Sequence, residues 1–171
     1  MRHYTVTNED VGKEGLGLVF ASRDIFALFD NGSYVRRVEI PSGARIKKIK
    51  GDLRLWRADR LVLREREKID LDLIKRLIEE GADVSAGEYA IVWWALRNKN
   101  VEAFKFLLPY FDPKKCECYA IKFAAYLLCS EIVELLIPYS DQAAIEKSLE
   151  IATLKNNHEM MQLLKQHIRN N

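Results

Sequence analysis

Apolar residues recur with two different periods along the chain, and the change from one to the other divides it near residue 67. In residues 1–67 they alternate or form short runs, as strands require, because successive strand side chains point to opposite faces. Residues 15–20 (GLGLVF) form a glycine-bounded apolar run that predicts a buried strand. Ser22 is placed to cap a two-turn helix carrying Ile25, Phe26, Leu28 and Phe29, which Asn31-Gly32 would end with a left-handed residue. Residues 34–40 alternate as a strand, Pro41-Ser42-Gly43 turns the chain, and 44–50 and 53–64 supply further strands. The segment before residue 15, with His3, reads as a tail.

From residue 68 the helical period takes over, and it repeats. DLIKRLIEEGADVS (72–85), EAFKFLLPYFD (102–112), EIVELLIPYSD (131–141) and EMMQLLKQH (159–167) open with Asp72, Glu102, Glu131 and Glu159, spaced 30, 29 and 28 residues apart. The preceding helices match as well, since YAIVWWALRNKN starts at Tyr89 and YAIKFAAYLLCS at Tyr119. Repetition at this period predicts stacked helix pairs, each too small to bury its apolar face alone. Asp70 can cap the first of these helices, and Gly81 can end it with a positive φ.

The 72–85 segment resembles the second helix of an ankyrin repeat, in which an acidic residue opens the helix and Gly-Ala-Asp closes it. The chain departs from that pattern where Leu108-Pro109-Tyr110 and Ile137-Pro138-Tyr139 replace the closing turn, so the resemblance is to a shortened, ankyrin-like repeat. The N-terminal half is similar to the module that precedes ankyrin repeats in proteins of large DNA viruses and stands alone in some phage proteins. Gly17, Leu18, Phe20, Phe29, Asp30, Gly32, Val38, Pro41, Trp56 and Ala58 carry that likeness. Together they imply an α+β protein: a small mixed α/β module and cap over 1–67, then about three and a half ankyrin-like repeats forming an all-α helical-pair solenoid over 68–171.

Charge adds one feature to this picture. The net formal charge is only +2, yet residues 36–68 hold 12 Lys or Arg against 5 Asp or Glu. Arg36, Arg37, Lys47, Lys48, Lys50, Arg54 and Arg57 head this stripe, which reads either as the solvated face of a small sheet or as a patch for nucleic acid or an acidic surface. Only Trp56 offers an aromatic ring among the cations.

Chemistry for catalysis is sparse. His3, His158 and His167 are the only histidines, and the chain carries no phosphate-loop or dinucleotide fingerprint beyond Gly15-x-Gly17. Cys116, Cys118 and Cys129 lack the fourth ligand of a zinc site and read as reduced, buried thiols. The 17–22 segment is loosely similar to the Tyr-x-Thr-Ser strand of ADP-ribosyltransferase-like folds, with Arg2, His3 and Glu39 as the candidate partners that resemblance would require. No cofactor or metal is expected, and no apolar run is long enough to span a membrane.

Binding residues are easier to nominate. Trp93 and Trp94 are neighbours on one helix and point about 100° apart, so either one faces a partner or both pack on different neighbours. Tyr89, Arg97, Lys122 and Tyr126 share their helix layer and extend an aromatic and cationic surface of the kind favoured at interface hot spots. The expected function is therefore non-enzymatic protein–protein interaction, with the viral and phage resemblances implying a cytoplasmic protein that binds and inhibits a host or defence protein. Nucleic-acid binding through the 36–68 stripe and an ADP-ribosyltransferase-like module are the alternatives.

Overall fold

A computed structural model describes residues 2–8, 14, 15 and 18–170. The protein is α+β, and among the described residues seven strands precede the α-helices. The strands are β1 (His3–Thr7), β2 (Glu14–Gly15), β3 (Val19–Ala21), β4 (Tyr34–Glu39), β5 (Ile46–Lys48), β6 (Leu55–Ala58) and β7 (Leu61–Lys68). They form one sheet in the order β2-β7-β4-β1-β3-β6-β5, with every neighbouring pair antiparallel. The helices are α1 (Leu71–Glu79), α2 (Ala86–Arg97), α3 (Val101–Leu107), α4 (Lys115–Tyr126), α5 (Ser130–Leu136), α6 (Gln142–Leu154) and α7 (His158–Asn170). None of them is long and apolar enough to cross a membrane.

Contacts group the chain into two compact units, Met1–Trp94 and Ala95–Asn171. The strand-to-helix change does fall near residue 67, but α1 and most of α2 group with the sheet. Their ties to it explain why: Ile69 N–H donates to Ser33 O (3.1 Å), Asp83 N–H to Arg23 O (2.7 Å) and the Tyr4 hydroxyl to Glu80 Oε2 (2.6 Å).

In the first unit β1 lies inside the sheet between β4 and β3, and Tyr4, Thr5, Val6 and Thr7 are all buried. His3 therefore begins a central strand rather than lying in a tail. Polar threonines stand on one face of β1 and Tyr4 and Val6 on the other, so the alternation of a strand is present over these five residues, and both faces are buried. Of the 15–20 run, only Val19 and Phe20 enter β3, and residues 16 and 17 lie outside the described residues.

Phe20, Val38, Ala58, Leu61 and Leu63 form one buried cluster, edged by Leu18, Ile40 and Trp56. The span 53–64 is two strands, because pairing is interrupted at Asp59-Arg60 without a glycine to mark it, and β6 and β7 run in the same direction on either side. The helix expected after Ser22 is a 3-10 helix, Ile25–Asn31, whose apolar side chains are buried as expected. It carries no side-chain cap, because the carboxylate of Asp24 accepts from the backbone N–H of Arg54 (2.5 Å) instead.

Gly32 does not end that helix in a left-handed conformation. Its φ is 172°, which any residue adopts, and glycine is needed because a Cβ there would stand 2.3 Å from the carbonyl oxygen of Thr7. At α1, by contrast, the sequence reading holds in detail. Asp70 accepts from Leu73 N–H (2.9 Å), Leu73, Ile74 and Leu77 are buried, and Gly81 has a φ of +92°.

The second unit is built on one junction used three times. Lys99, Leu128 and Asn156 all take positive φ after the end of a helix. The next residue in each case returns a hydrogen bond: Asn100 to Ala95 O (2.9 Å), Cys129 to Ala124 O (3.1 Å) and Asn157 to Ala152 O (3.0 Å). This closes the exposed carbonyls of one helix and starts the next. Asn100 and Asn157 also cap the following helix, accepting from Ala103 N–H (3.0 Å) and Met160 N–H (3.1 Å), whereas Cys129 makes no side-chain cap. Ala95, Ala124 and Ala152 are fully buried, small enough to let neighbouring helices close up.

Two proline turns repeat as well, Leu108–Tyr110 and Ile137–Tyr139, each a short 3-10 helix that ends the helix before it. Asp112 and Asp141 follow them and accept from Lys114 N–H (3.0 Å) and Ala144 N–H (2.7 Å). Within this unit α4 packs on α6, while α5 lies against α3 and α7. Cys118 and Cys129 are buried free thiols, and the Cys116 side chain lies outside the described residues.

Candidate functional site

The nominated aromatic and cationic residues fall into two groups, one in each unit. In the first, Gly87, Glu88 and Tyr89 form a left-handed turn, with φ of 62°, 56° and 63°, at the start of α2. Such a conformation costs a non-glycine residue about 1–2 kcal/mol, so something must hold it. Trp93 does part of this, donating its indole N–H to Glu88 O (3.1 Å). Trp94 is buried and meets Phe29 edge to face, with ring centroids 5.7 Å apart and planes at 81°. Both indoles thus have a structural task, and Tyr89 is half-buried in the turn they secure.

Arg97, Lys122 and Tyr126 belong to the second unit. Arg97 is exposed at the end of α2, Lys122 is half-buried, and Tyr126 is 55% exposed. Around Tyr126 the structure reveals a row that the sequence reading had named only in part. Tyr119, Phe123 and Tyr126 sit at i, i+4 and i+7 on α4, one face of the helix. Their rings are nearly parallel: Tyr119 and Phe123 are 5.7 Å apart at 15°, and Phe123 and Tyr126 are 6.4 Å apart at 7°. Tyr119 is 49% exposed, and the ammonium of Lys155 stands 4.2 Å from the centre of the Tyr126 ring.

The repeat does not demand this row. One repeat later the corresponding residues of α6 are Lys147, Ile151 and Leu154, of which only Ile151 is half-buried and Leu154 is 83% exposed. Helical spacing of the three rings was the signal available in the sequence.

The basic stripe separates into engaged and unengaged cations. Arg36 is buried, not a surface cation: its guanidinium donates to Arg64 O (2.9 Å) and Leu63 O (3.4 Å), beside the register shift where β4 meets β7. Arg54 bridges Asp24 (2.7 Å) and Asp83 (3.5 Å), Arg45 pairs with Asp59 (3.0 Å), and Arg64 pairs with Glu39. Hydrogen bonds from Arg45 and Arg64 hold the Asp59 and Glu39 carboxyls below their ordinary range. Arg37, Lys47, Lys48, Lys50 and Arg57 are exposed, and among the described residues no ion pair joins any of them to a carboxylate. Four of these five lie on or beside β5 and β6, where Lys47 stands directly opposite Arg57.

Trp56, the ring among these cations, is half-buried and stacked on Phe20, 6.1 Å away at 24°. The residues nominated for ADP-ribosyl transfer are each engaged elsewhere: Arg2 pairs with Glu80 (2.8 Å), Glu39 pairs with Arg64, and the His3 ring packs edge-on against Phe20 (5.4 Å). A cleft of about 550 Å³ in the first unit is lined by Asp24, Asp52, Arg54, Asp83, Ser85 and Glu88. There Arg54 already neutralises the buried Asp24, and the Ser85 hydroxyl holds the Asp83 carboxyl below its ordinary range.

No family model matches the chain, and neither the curated proteins nor the solved structures include one similar to it.

Proposed function

We propose that this chain is a non-enzymatic binding protein whose helical unit presents the α4 aromatic row to a protein partner. The observation that carries the reading is the exposure of Tyr119 and Tyr126 as ends of a stacked row, with Lys155 over one ring. Three parallel rings held by one helix face offer a large apolar surface at little entropy cost, since each is pre-ordered by its neighbour. Lys122 and Lys155 place positive charge beside the rings, so the complementary surface is an apolar side chain flanked by carboxylates.

The repeated junctions and caps support an ankyrin-like reading of the helical half, in which helix pairs stack as a solenoid. With the viral and phage resemblance of the N-terminal half, this gives a protein that acts in the host cytoplasm by binding and blocking a host or defence protein. The nucleic-acid reading has one observation in its favour, the unengaged cations beside β5 and β6.

The test is capture from host lysate by the intact protein and by a Tyr119→Ala/Tyr126→Ala variant shown to unfold at the same denaturant midpoint. Loss of two hot-spot tyrosines costs about 2 kcal/mol or more, a loss of at least about thirtyfold in affinity. Equal capture of the same protein by both forms would refute the assignment.

A further inference from the structure

We infer that the open edge of β5 takes an extended, acidic segment of a partner protein as an additional antiparallel or parallel strand. The surface is separate from the α4 row, and the inference stands on its own observations. β5 ends the sheet, with β6 on one side and no strand among the described residues on the other. Ile49 N–H donates to Leu55 O (2.9 Å) and Asp59 N–H to Arg45 O (3.1 Å), which fixes 45, 47 and 49 as the positions bonded to β6. By the alternation of an antiparallel ladder, the N–H and C=O groups of Ile46 and Lys48 face the open side. Those four groups are the backbone template for strand addition.

The side chains choose what can use that template. Ile46 is 50% exposed, and Lys47, Lys48, Lys50 and Arg57 stand around it without an acidic partner among the described residues. Elsewhere in the stripe, Arg36, Arg45, Arg54 and Arg64 are matched to carboxylates or carbonyls, so the unmatched cations gather mainly at β5 and β6. Lys47 and Arg57 are cross-strand neighbours of like charge, an arrangement that disfavours the hairpin. A lysine-bearing edge repels a second copy of itself, which keeps it from self-pairing while leaving it open to a strand of opposite charge. An alternating acidic and β-branched segment fits both faces, with carboxylates toward Lys47 and Arg57 and an apolar residue beside Ile46.

Nucleic acid fits less well. The outward carbonyls of Ile46 and Lys48 would face phosphate oxygens, and the Trp56 ring is occupied by Phe20 instead of free for a base.

The experiment is fluorescence anisotropy with the full chain and three probes at low and moderate salt. The probes are an alternating Glu–Val peptide, a peptide of equal charge with proline in place of valine, and a single-stranded oligonucleotide of matched charge. Proline keeps the charge but removes backbone donors. The expected result is saturable binding of the Glu–Val peptide, at least tenfold weaker for the proline peptide and for the Lys47→Glu/Lys48→Glu variant. Lys48→Glu alone, at an exposed position, provides the same comparison should the double change unsettle the edge. No binding of the Glu–Val peptide, equal binding of the proline peptide, or tighter binding of the oligonucleotide would each overturn the inference.

Discussion

The sheet unit and the helical unit solve the problem of chain closure in different ways, and each way shows its unused residues differently. Met1–Trp94 is held by pairs remote in sequence, such as β1 with β4, Tyr4 with Glu80 and Arg54 with Asp24. Ala95–Asn171 is held by one local junction repeated at Lys99, Leu128 and Asn156. In the first, the residues that stand out are those left unpaired, the cations beside β5. In the second they are those that break the repeat, the rings of α4. Neither set is needed to close the fold around it, and that is the ground for reading both as binding surfaces.

The comparison can be broken most strongly at Phe104, fully buried in the helical unit. Phe104→Ala should cost about 3–5 kcal/mol, read as a lowered midpoint in urea with loss of helical circular dichroism. On the sheet side, Gly32→Ala forces a Cβ onto the backbone of Thr7. A cost of about 1–3 kcal/mol is expected from such overpacking, with faster amide exchange in β1 and β4. If the variant were as stable as the parent, the close approach of Gly32 to β1 would be wrong.

Asn157→Ala tests whether the repeated junction matters energetically, since it removes the bond from Met160 N–H. The expected loss is about 1 kcal/mol. Cys129→Ala, at the junction with no side-chain cap, should show no capping loss, only that of a small buried side chain.

Smaller effects sharpen the sheet side. Lys47→Glu replaces a like-charge neighbour of Arg57 by an opposite one and should raise stability by about 0.2–1 kcal/mol, measured by thermal unfolding. A residue whose removal stabilises the fold is one the fold does not require. The least effect is expected from His3, whose half-burial holds its pKa below the ordinary 6.5. In the window between the folded value and 6.5 the unfolded chain binds more protons than the folded one. Stability present above pH 6.5 is therefore lost as pH falls through the folded value. His3→Gln should flatten that slope in unfolding curves taken across the window.

Local signals carried the helical half of this protein into view and left much of the sheet obscure. Asp70, Gly81 and the recurrent 28- to 30-residue spacing mark real caps and junctions, because each acts within a few residues of itself. Strand β1 shows its alternation only over His3–Thr7, with just Tyr4 and Val6 as apolar members, and its central place comes from pairing with residues 34–38 and 21. The break between β6 and β7 at Asp59-Arg60 lacks glycine or proline, and the sheet order depends on pairings that no local pattern encodes.

The candidate surfaces followed the same division. Tyr126, Lys122, Lys47, Lys48, Lys50 and Arg57 were nominated from sequence and are exposed or half-exposed. Arg36, Arg54 and Trp94 were nominated from local pattern, and each is engaged by a partner that only the fold brings near: Leu63 and Arg64 carbonyls, Asp24 and Phe29. Trp93 is engaged locally by Glu88 O, through a left-handed turn that no pattern announced.

Hydroxyl-radical footprinting of the chain, free and bound to the protein it captures, tests the central claim most directly. Tyr119 and Tyr126 should be oxidised readily in the free protein and protected in the complex, because their exposed ring faces are the proposed contact. Unchanged oxidation of both tyrosines on complex formation, with protection appearing elsewhere, would contradict the account.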